Sequence, residues 1–158
     1  MKRLFLDTNI VLDFLLNRQP FVLAAGSLLA AGQAGHAHTL VSSLSFVTAH
    51  YVVGKAVGKA AATQALAKLA TQVVTVAVDT AIIEQALQAG RPDFEDAVQY
   101  FAALAAGADL LVTRDPKGFP ASRIPVFDPL ATYPFSTCRA AACPLASAAS
   151  TVPPAGPS

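Results

Sequence analysis

Short apolar runs alternate with helical segments along this chain, and that alternation admits few folds. KRLFL, residues 2–6, stops at Asp7 and reads as a buried strand. Ile10–Leu16 then carries helical spacing, with Asp7, Thr8 or Asn9 available as its cap. Pro20 suits the first position of a second helix, Pro20–Ala34. AHTLVS is a second strand, after which Ser42 and Ser43 offer caps for a helix through Tyr51 that Gly54 and Gly58 are expected to break or kink. Ala60–Ala70 is helical by propensity. VVTVAV is a third strand, and Asp79 caps the helix Ala81–Ala89 that follows. Asp93 opens a helix over Phe94–Ala106, Gly107 stops it, DLLVT forms a fourth strand before the polar loop RDPKGFP, and IPVF a short last one. Repeated strand–helix alternation predicts an α/β fold, a parallel sheet with helices on both faces.

With 158 residues, 54% of them hydrophobic, the chain can bury one substantial core, so a single domain over residues 1–130 is expected. Beyond Leu130 the composition turns to Ala, Pro, Ser and Thr without periodicity, and residues 131–158 read as a disordered tail. A net charge of +1 excludes a strong overall field drawing the chain onto nucleic acid, so any such attraction must be local. The basic, apolar start resembles a secretory leader, but Asp7 and Asp13 interrupt it and no small-residue cleavage site follows. No uncharged stretch reaches the roughly 18 apolar residues that a membrane span requires. The only cysteines, Cys138 and Cys143, lie in the tail, which argues against a secreted disulfide framework. A soluble, cytoplasmic protein with no membrane contact is expected.

Only ten residues are acidic, which makes their positions informative. Asp7 follows the first strand, Asp115 lies just beyond the fourth, and Asp96 is in the first turn of the helix between. In open parallel sheets functional groups gather beyond the carboxyl ends of the strands, near the point where strand order reverses. If the first and fourth strands are neighbours, Asp7 and Asp115 face one crevice and Asp96 can lean over it. Carboxylates so close repel one another unless a cation lies between them. Oxygen ligands select Mg²⁺ or Mn²⁺, an ion suited to phosphodiester hydrolysis. Each acid also has a plainer reading: Asp7 as a helix cap, Asp96 and Glu95 as partners of the helix dipole, Asp115 as a turn residue.

Four segments taken together, LFLDTNIVLDFLL, VSSLSFVTAHYVV, DFEDAVQYFAALAAGAD and LLVTRDPKGF, resemble the PIN-domain family and its VapC-like branch over residues 1 to about 128. The resemblance implies a three-layer α/β/α sandwich, dependence on Mg²⁺ or Mn²⁺, and endonucleolytic cleavage of RNA. It also implies the toxin role of a toxin–antitoxin pair, a cognate antitoxin as partner, and a homodimer. By position, Asp7, Asp96 and Asp115 match the family's metal-ligating acids. Asn9 matches the polar residue supporting the first of them, and Thr113 the hydroxyl residue before the last. Glu95 sits beside Asp96, but adjacent helical positions point about 100° apart, so Asp96 is favoured at the metal and Glu95 behind it or as a weaker ligand.

One departure stands out. Thr48 falls where the family carries a Glu, and neither it nor His50 replaces a carboxylate, although a branch of the family resembling this chain shows the same substitution with a Tyr just beyond, as Tyr51 is here. This keeps a second reading open, a PIN module that binds RNA or a protein without cutting. Arg114 and Lys117 flank Asp115 and are candidates for phosphate binding, and Lys55 and Lys59 could share one helix face as solvated lysines. Asp13 is assigned a structural role in a pair with Arg18, and Asp93 the role of helix cap. His36, His38 and His50 lack metal-ligand companions. A receiver-like domain would need a paired acid at the first strand and a late Lys. A HAD-type phosphatase would need an Asp where Asn9 stands, and no glycine loop supports an NTPase.

Overall fold

The computed structural model describes residues 1–119 and 123–130. The tail beyond Leu130, with Cys138 and Cys143, and Pro120 of the polar loop lie outside the described residues. Strands β1 (Lys2–Leu6), β2 (Ala37–Ser42), β3 (Val74–Val76), β4 (Leu110–Val112) and β5 (Val126–Phe127) form one sheet in the order β3-β2-β1-β4-β5, with every pairing parallel. Six helices accompany them: α1 (Thr8–Leu15), α2 (Val22–Gln33), α3 (Ser43–Val57), α4 (Lys59–Ala70), α5 (Thr80–Ala89) and α6 (Phe94–Ala105).

The expected α/β/α sandwich follows from the two faces of β1. Leu4 and Leu6 point to one side, where they pack with Ile10, Val11, Leu29, Val53 and Leu66 from α1 to α4. Phe5 points to the other, among Ile82, Ala97, Val98 and Ala103 from α5 and α6. Alternation along the strand sends consecutive side chains to opposite layers. All three are fully buried, and each such side chain contributes about 1.5–3 kcal/mol on removal from water. A central strand apolar on both faces is what two helical layers require.

Several boundaries differ from the sequence reading. The second helix begins at Val22, because the chain first turns at Arg18, whose carbonyl accepts from Val22 N at 2.8 Å. Gly54 does not break α3. It lies within the helix, where the turn to Lys59 and Ala62 of α4 leaves ordinary contact distance for a side-chain carbon. The break comes at Gly58, whose φ of +95° suits glycine. Lys55 and Lys59 therefore fall on different helices, not one face. Strand β3 keeps only three residues of VVTVAV because it is an edge strand, paired on one side only.

Strand order reverses at β1. The chain runs outward through β2 and β3, then crosses to β4 on the other flank of β1. Leu6 pairs with Val112, so the residues after them emerge side by side at the carboxyl edge of the sheet. Asp7 N donates to Val112 O at 3.0 Å and continues the ladder one step beyond β1.

Candidate active site

Asp7 and Thr113 are the first residues past the paired ends of β1 and β4, and both are buried. Thr113 Oγ1 donates to Asp7 Oδ2 at 2.8 Å, and Thr8 N donates to Asp7 Oδ1 at 2.7 Å. Asp7 thus closes the N-terminus of α1, its expected capping role, while its other carboxylate oxygen is held at the end of β4. Thr113 Oγ1 also accepts from Asp115 N at 3.1 Å, which turns the loop so that Asp115 follows on the same side. Asp115 is exposed and accepts from Lys117 N at 3.2 Å, opening a 3-10 turn over Pro116–Gly118.

Asp96 reaches this loop from α6. Asp93 accepts from Asp96 N at 3.1 Å, which is its expected cap. A side-chain carbon at Gly118 would collide with Asp96 Oδ2 and would lie 3.8 Å from Asp115 Oδ2. The bare Cα of Gly118 therefore makes room for the Asp96 carboxylate, with Asp115 Oδ2 in the same neighbourhood. Glu95 takes another direction: its Oε1 accepts from the Thr8 hydroxyl at 3.0 Å.

Behind Thr8 lies a buried polar cluster that sequence reasoning missed. Gln99 Nε2 donates to Thr8 Oγ1 at 2.6 Å and to Ser45 Oγ at 2.9 Å, while the Thr8 and Ser45 hydroxyls lie 2.8 Å apart. Ser42 Oγ lies 3.0 Å from Ser45 Oγ. Since Thr8 spends its one proton on Glu95, the hydroxyls order as Ser42 to Ser45 to Thr8 to Glu95. The chain of hydroxyls thus ends on the Glu95 carboxylate and fixes its direction. One signal was available: Gln99 stands four residues after Glu95, on the same helical face, amid apolar neighbours. Thr48 is half-buried one turn beyond Ser45 on α3, and Asn9 is half-buried on α1.

The electrostatics are those of an uncompensated cluster. Burial pushes the Asp7 carboxyl up to about 6, against the hydrogen bonds from Thr113 and Thr8, with Glu95 and Asp93 adding repulsion. Asp96 also rises to about 6, first by desolvation and then by the charges of Asp7, Asp93, Asp115 and Glu95. Among the described residues the ion pairs are Arg114–Asp13 and Arg18–Asp13, so Asp7, Glu95, Asp96 and Asp115 have no protein cation beside them. Among the same residues no three carboxylate, imidazole or thiolate groups stand close enough to cage an ion as they are. The oxygen-only donor set is of the kind that a hard divalent ion takes.

The remaining candidates are placed as follows. Arg114 Nε lies 3.1 Å from Asp13 Oδ2, nearer than Arg18, whose Nη1 is 3.7 Å from Oδ1. The pairing expected between Asp13 and Arg18 is therefore shared with Arg114. Burial raises the Asp13 carboxyl and the two guanidiniums oppose the rise. Lys117 is exposed, His50 Nε2 lies 3.0 Å from Thr63 Oγ1, and Lys55 sits over the Tyr51 ring at 4.3 Å. His36 and His38 are exposed. No helix among the described residues is long and apolar enough to cross a membrane.

A family model described as PIN domain matches residues 3–117. Solved structures share the fold at low identity. DNA-bound VapBC from Salmonella typhimurium matches at a TM-score of 0.64 and 17% identity, covering 82% of this chain and 99% of that one. A toxin–antitoxin complex from Klebsiella pneumoniae matches at 0.59 and 21%, covering 79% and 96%. VapC20 of Mycobacterium tuberculosis, described as a Sarcin-Ricin loop cleaving toxin, matches at 0.57 and 20%, covering 68% and 86%. A search of curated proteins returns no match.

Proposed function

Because the chain belongs to the PIN-domain family, we propose that it is a metal-dependent endoribonuclease whose active site is the carboxylate group at the ends of β1, β4 and α6. The observation that carries this reading is the set of four acids, drawn from three elements, with no basic side chain to neutralise them among the described residues. Folding them together without a counter-charge is costly. A divalent cation removes that cost, and it is the cofactor that phosphodiester hydrolysis uses.

Asp7, Asp96 and Asp115 would hold Mg²⁺ or Mn²⁺, with Glu95 as a weaker ligand or support. When bound, the ion supplies positive charge for the phosphate, a water made acidic enough to yield hydroxide, and relief for the departing oxygen. The chain's own residues do the rest. Thr113 and the Thr8 amide fix both oxygens of Asp7. The Thr8 hydroxyl orients Glu95, backed by Ser45 and Gln99. Asn9 lines the start of α1 beside Asp7, and Arg114 and Lys117 supply charge for RNA phosphates on either side of Asp115.

The biological role we propose is that of a cytoplasmic toxin restrained by an antitoxin encoded separately. Two of the structures sharing its fold are described as VapBC and as a toxin–antitoxin complex. A homodimer is the proposed assembly. Val47 of α3 and Phe94 of α6 are exposed and line, with Leu44, Val78 and Ile83, a groove of about 370 Å³, an apolar face that a second copy would cover.

The test is cleavage of structured RNA by wild type and Asp7→Asn in Mg²⁺. Cutting that requires the metal and is lost in the variant supports the nuclease. Equal RNA binding with and without metal, and no cutting, would instead favour the binding module that Thr48 keeps in view.

A further inference from the structure

Asp13 is fully buried, and Arg114 and Arg18 approach its oxygens without a well-aligned hydrogen bond. Its nearest charge is Arg114, and the Nε–H is not aimed at the carboxylate despite the 3.1 Å separation. The contact is one of charge with charge. Burying a carboxylate without well-aligned hydrogen bonds is expensive, and an apolar residue of similar volume would fill the space at lower cost. The charge of Asp13 therefore needs a use, and Arg114 is where it acts on the site.

Arg114 stands between Thr113, which holds Asp7, and Asp115. The side chains along this loop diverge: Thr113 turns to Asp7, while Arg114 turns to α1 and lies 4.4 Å over the ring of Phe21, just ahead of α2. Its Nε is buried although 28% of the side chain is exposed, so the exposed part lies elsewhere along it. A long cation adjacent to four unneutralised carboxylates would, if free, fold onto them. An opposite charge within about 4–6 Å stabilises a carboxylate by roughly one to three pKa units, and Arg114 would then compete with a metal ion.

We propose that Asp13, with Phe21, is a positioning residue that restrains Arg114 beside the acidic cluster but out of it, leaving the carboxylates free for a divalent cation and the arginine's exposed end free for an RNA phosphate. The inference rests on the nuclease reading for its second half only. Its first half, the restraint of Arg114, stands on the arrangement of charges.

The experiment is a cycle of Asp13→Asn, Arg114→Gln and the double variant, with two readouts. Mn²⁺ binding is measured by the electron paramagnetic resonance of the free ion. Steady-state cleavage of a fluorescent RNA in Mg²⁺ gives KM and kcat. Asp13→Asn is expected to weaken Mn²⁺ binding about tenfold, because Arg114 is released into the cluster. The double variant is expected to recover wild-type Mn²⁺ binding while its KM stays raised, as in Arg114→Gln alone.

A purely structural Asp13 gives a different pattern: Mn²⁺ binding reduced equally in the single and double variants, in step with a lower melting temperature. That result overturns the proposal. Should Asp13→Asn fail to fold, Phe21→Leu removes the stacking face without orphaning a charge, and weaker Mn²⁺ binding that Arg114→Gln restores is again expected. Unchanged Mn²⁺ binding in Phe21→Leu would count against it. Wild type that binds Mn²⁺ but cuts no RNA overturns the nuclease reading, and the Mn²⁺ arm of the cycle still decides whether Asp13 restrains Arg114.

Discussion

The hydroxyl of Thr113 donates to Asp7 Oδ2 across 2.8 Å, joining the carboxyl ends of β4 and β1 through two buried side chains. These residues are 106 apart in sequence, and the bond exists only because the strand order places β4 beside β1.

Thr113→Val keeps the shape and removes the donor. Asp7 would lose a hydrogen bond that favours its charged form, and a buried acceptor would go unsatisfied. A stability loss of about 1–3 kcal/mol is expected, read as a lower melting temperature. Cleavage should fall about tenfold or more, the scale on which losing a hydrogen-bond partner of a metal-ligating carboxylate costs activity. Unchanged cleavage would mean that Thr113 serves the fold alone.

The pH dependence of the metal-free protein has a defined sign. Asp7 and Asp96 titrate at about 6 in the folded chain against 3.8 for the free side chain. Between those values the folded state holds more protons than the unfolded one, so stability falls as pH rises. The benefit is complete below about 4 and gone above about 6. In EDTA the melting temperature should therefore drop by several degrees from pH 5 to pH 7.5. Mg²⁺ added at pH 7.5 should restore it, because a ligand bound only by the folded state stabilises it. A melting temperature that rises over the same range would contradict the uncompensated cluster.

Gly118→Ala tests the room left for the Asp96 carboxylate. The added methyl would meet Asp96 Oδ2, the mobile end of a side chain, so the fold can yield while the site cannot. The φ of Gly118 is not positive, and alanine is tolerated by the backbone. The expected outcome is a melting temperature close to wild type with Mn²⁺ affinity reduced about tenfold, the scale seen when a supporting group at a metal site is disturbed. Equal affinity in both proteins would separate Gly118 from the metal site.

Much of this was legible from the chain. The run LFL ahead of Asp7 announced a central strand because apolar side chains on both faces have no other place in a sheet of this kind. The placement of Asp7 and Asp115 at adjacent strand ends is legible because strand ends are local features, visible in sequence. What was not legible depended on distant pairings. Thr8, Ser45 and Gln99 meet across separations of 37, 54 and 91 residues, so the spacing of any one segment does not reveal them. Asp13 was paired with nearby Arg18 because Arg114 reaches it only through the adjacency of β1 and β4. Gly54 reads as a helix breaker by propensity alone, yet α3 runs through it to Val57 and ends only at Gly58, where φ is positive.

The central claim is that the carboxylates hold a metal ion which cuts RNA, and Asp96→Asn addresses it most directly. Wild type and variant would be incubated with structured RNA in Mg²⁺, in Mn²⁺ and in EDTA, after their folded state is verified by melting. The account predicts cutting by wild type in either metal, none in EDTA, and a loss of at least a hundredfold in the variant, about the scale of removing a principal electrostatic group from an active site. No cutting by either protein in any condition, or equal cutting by both, would contradict it.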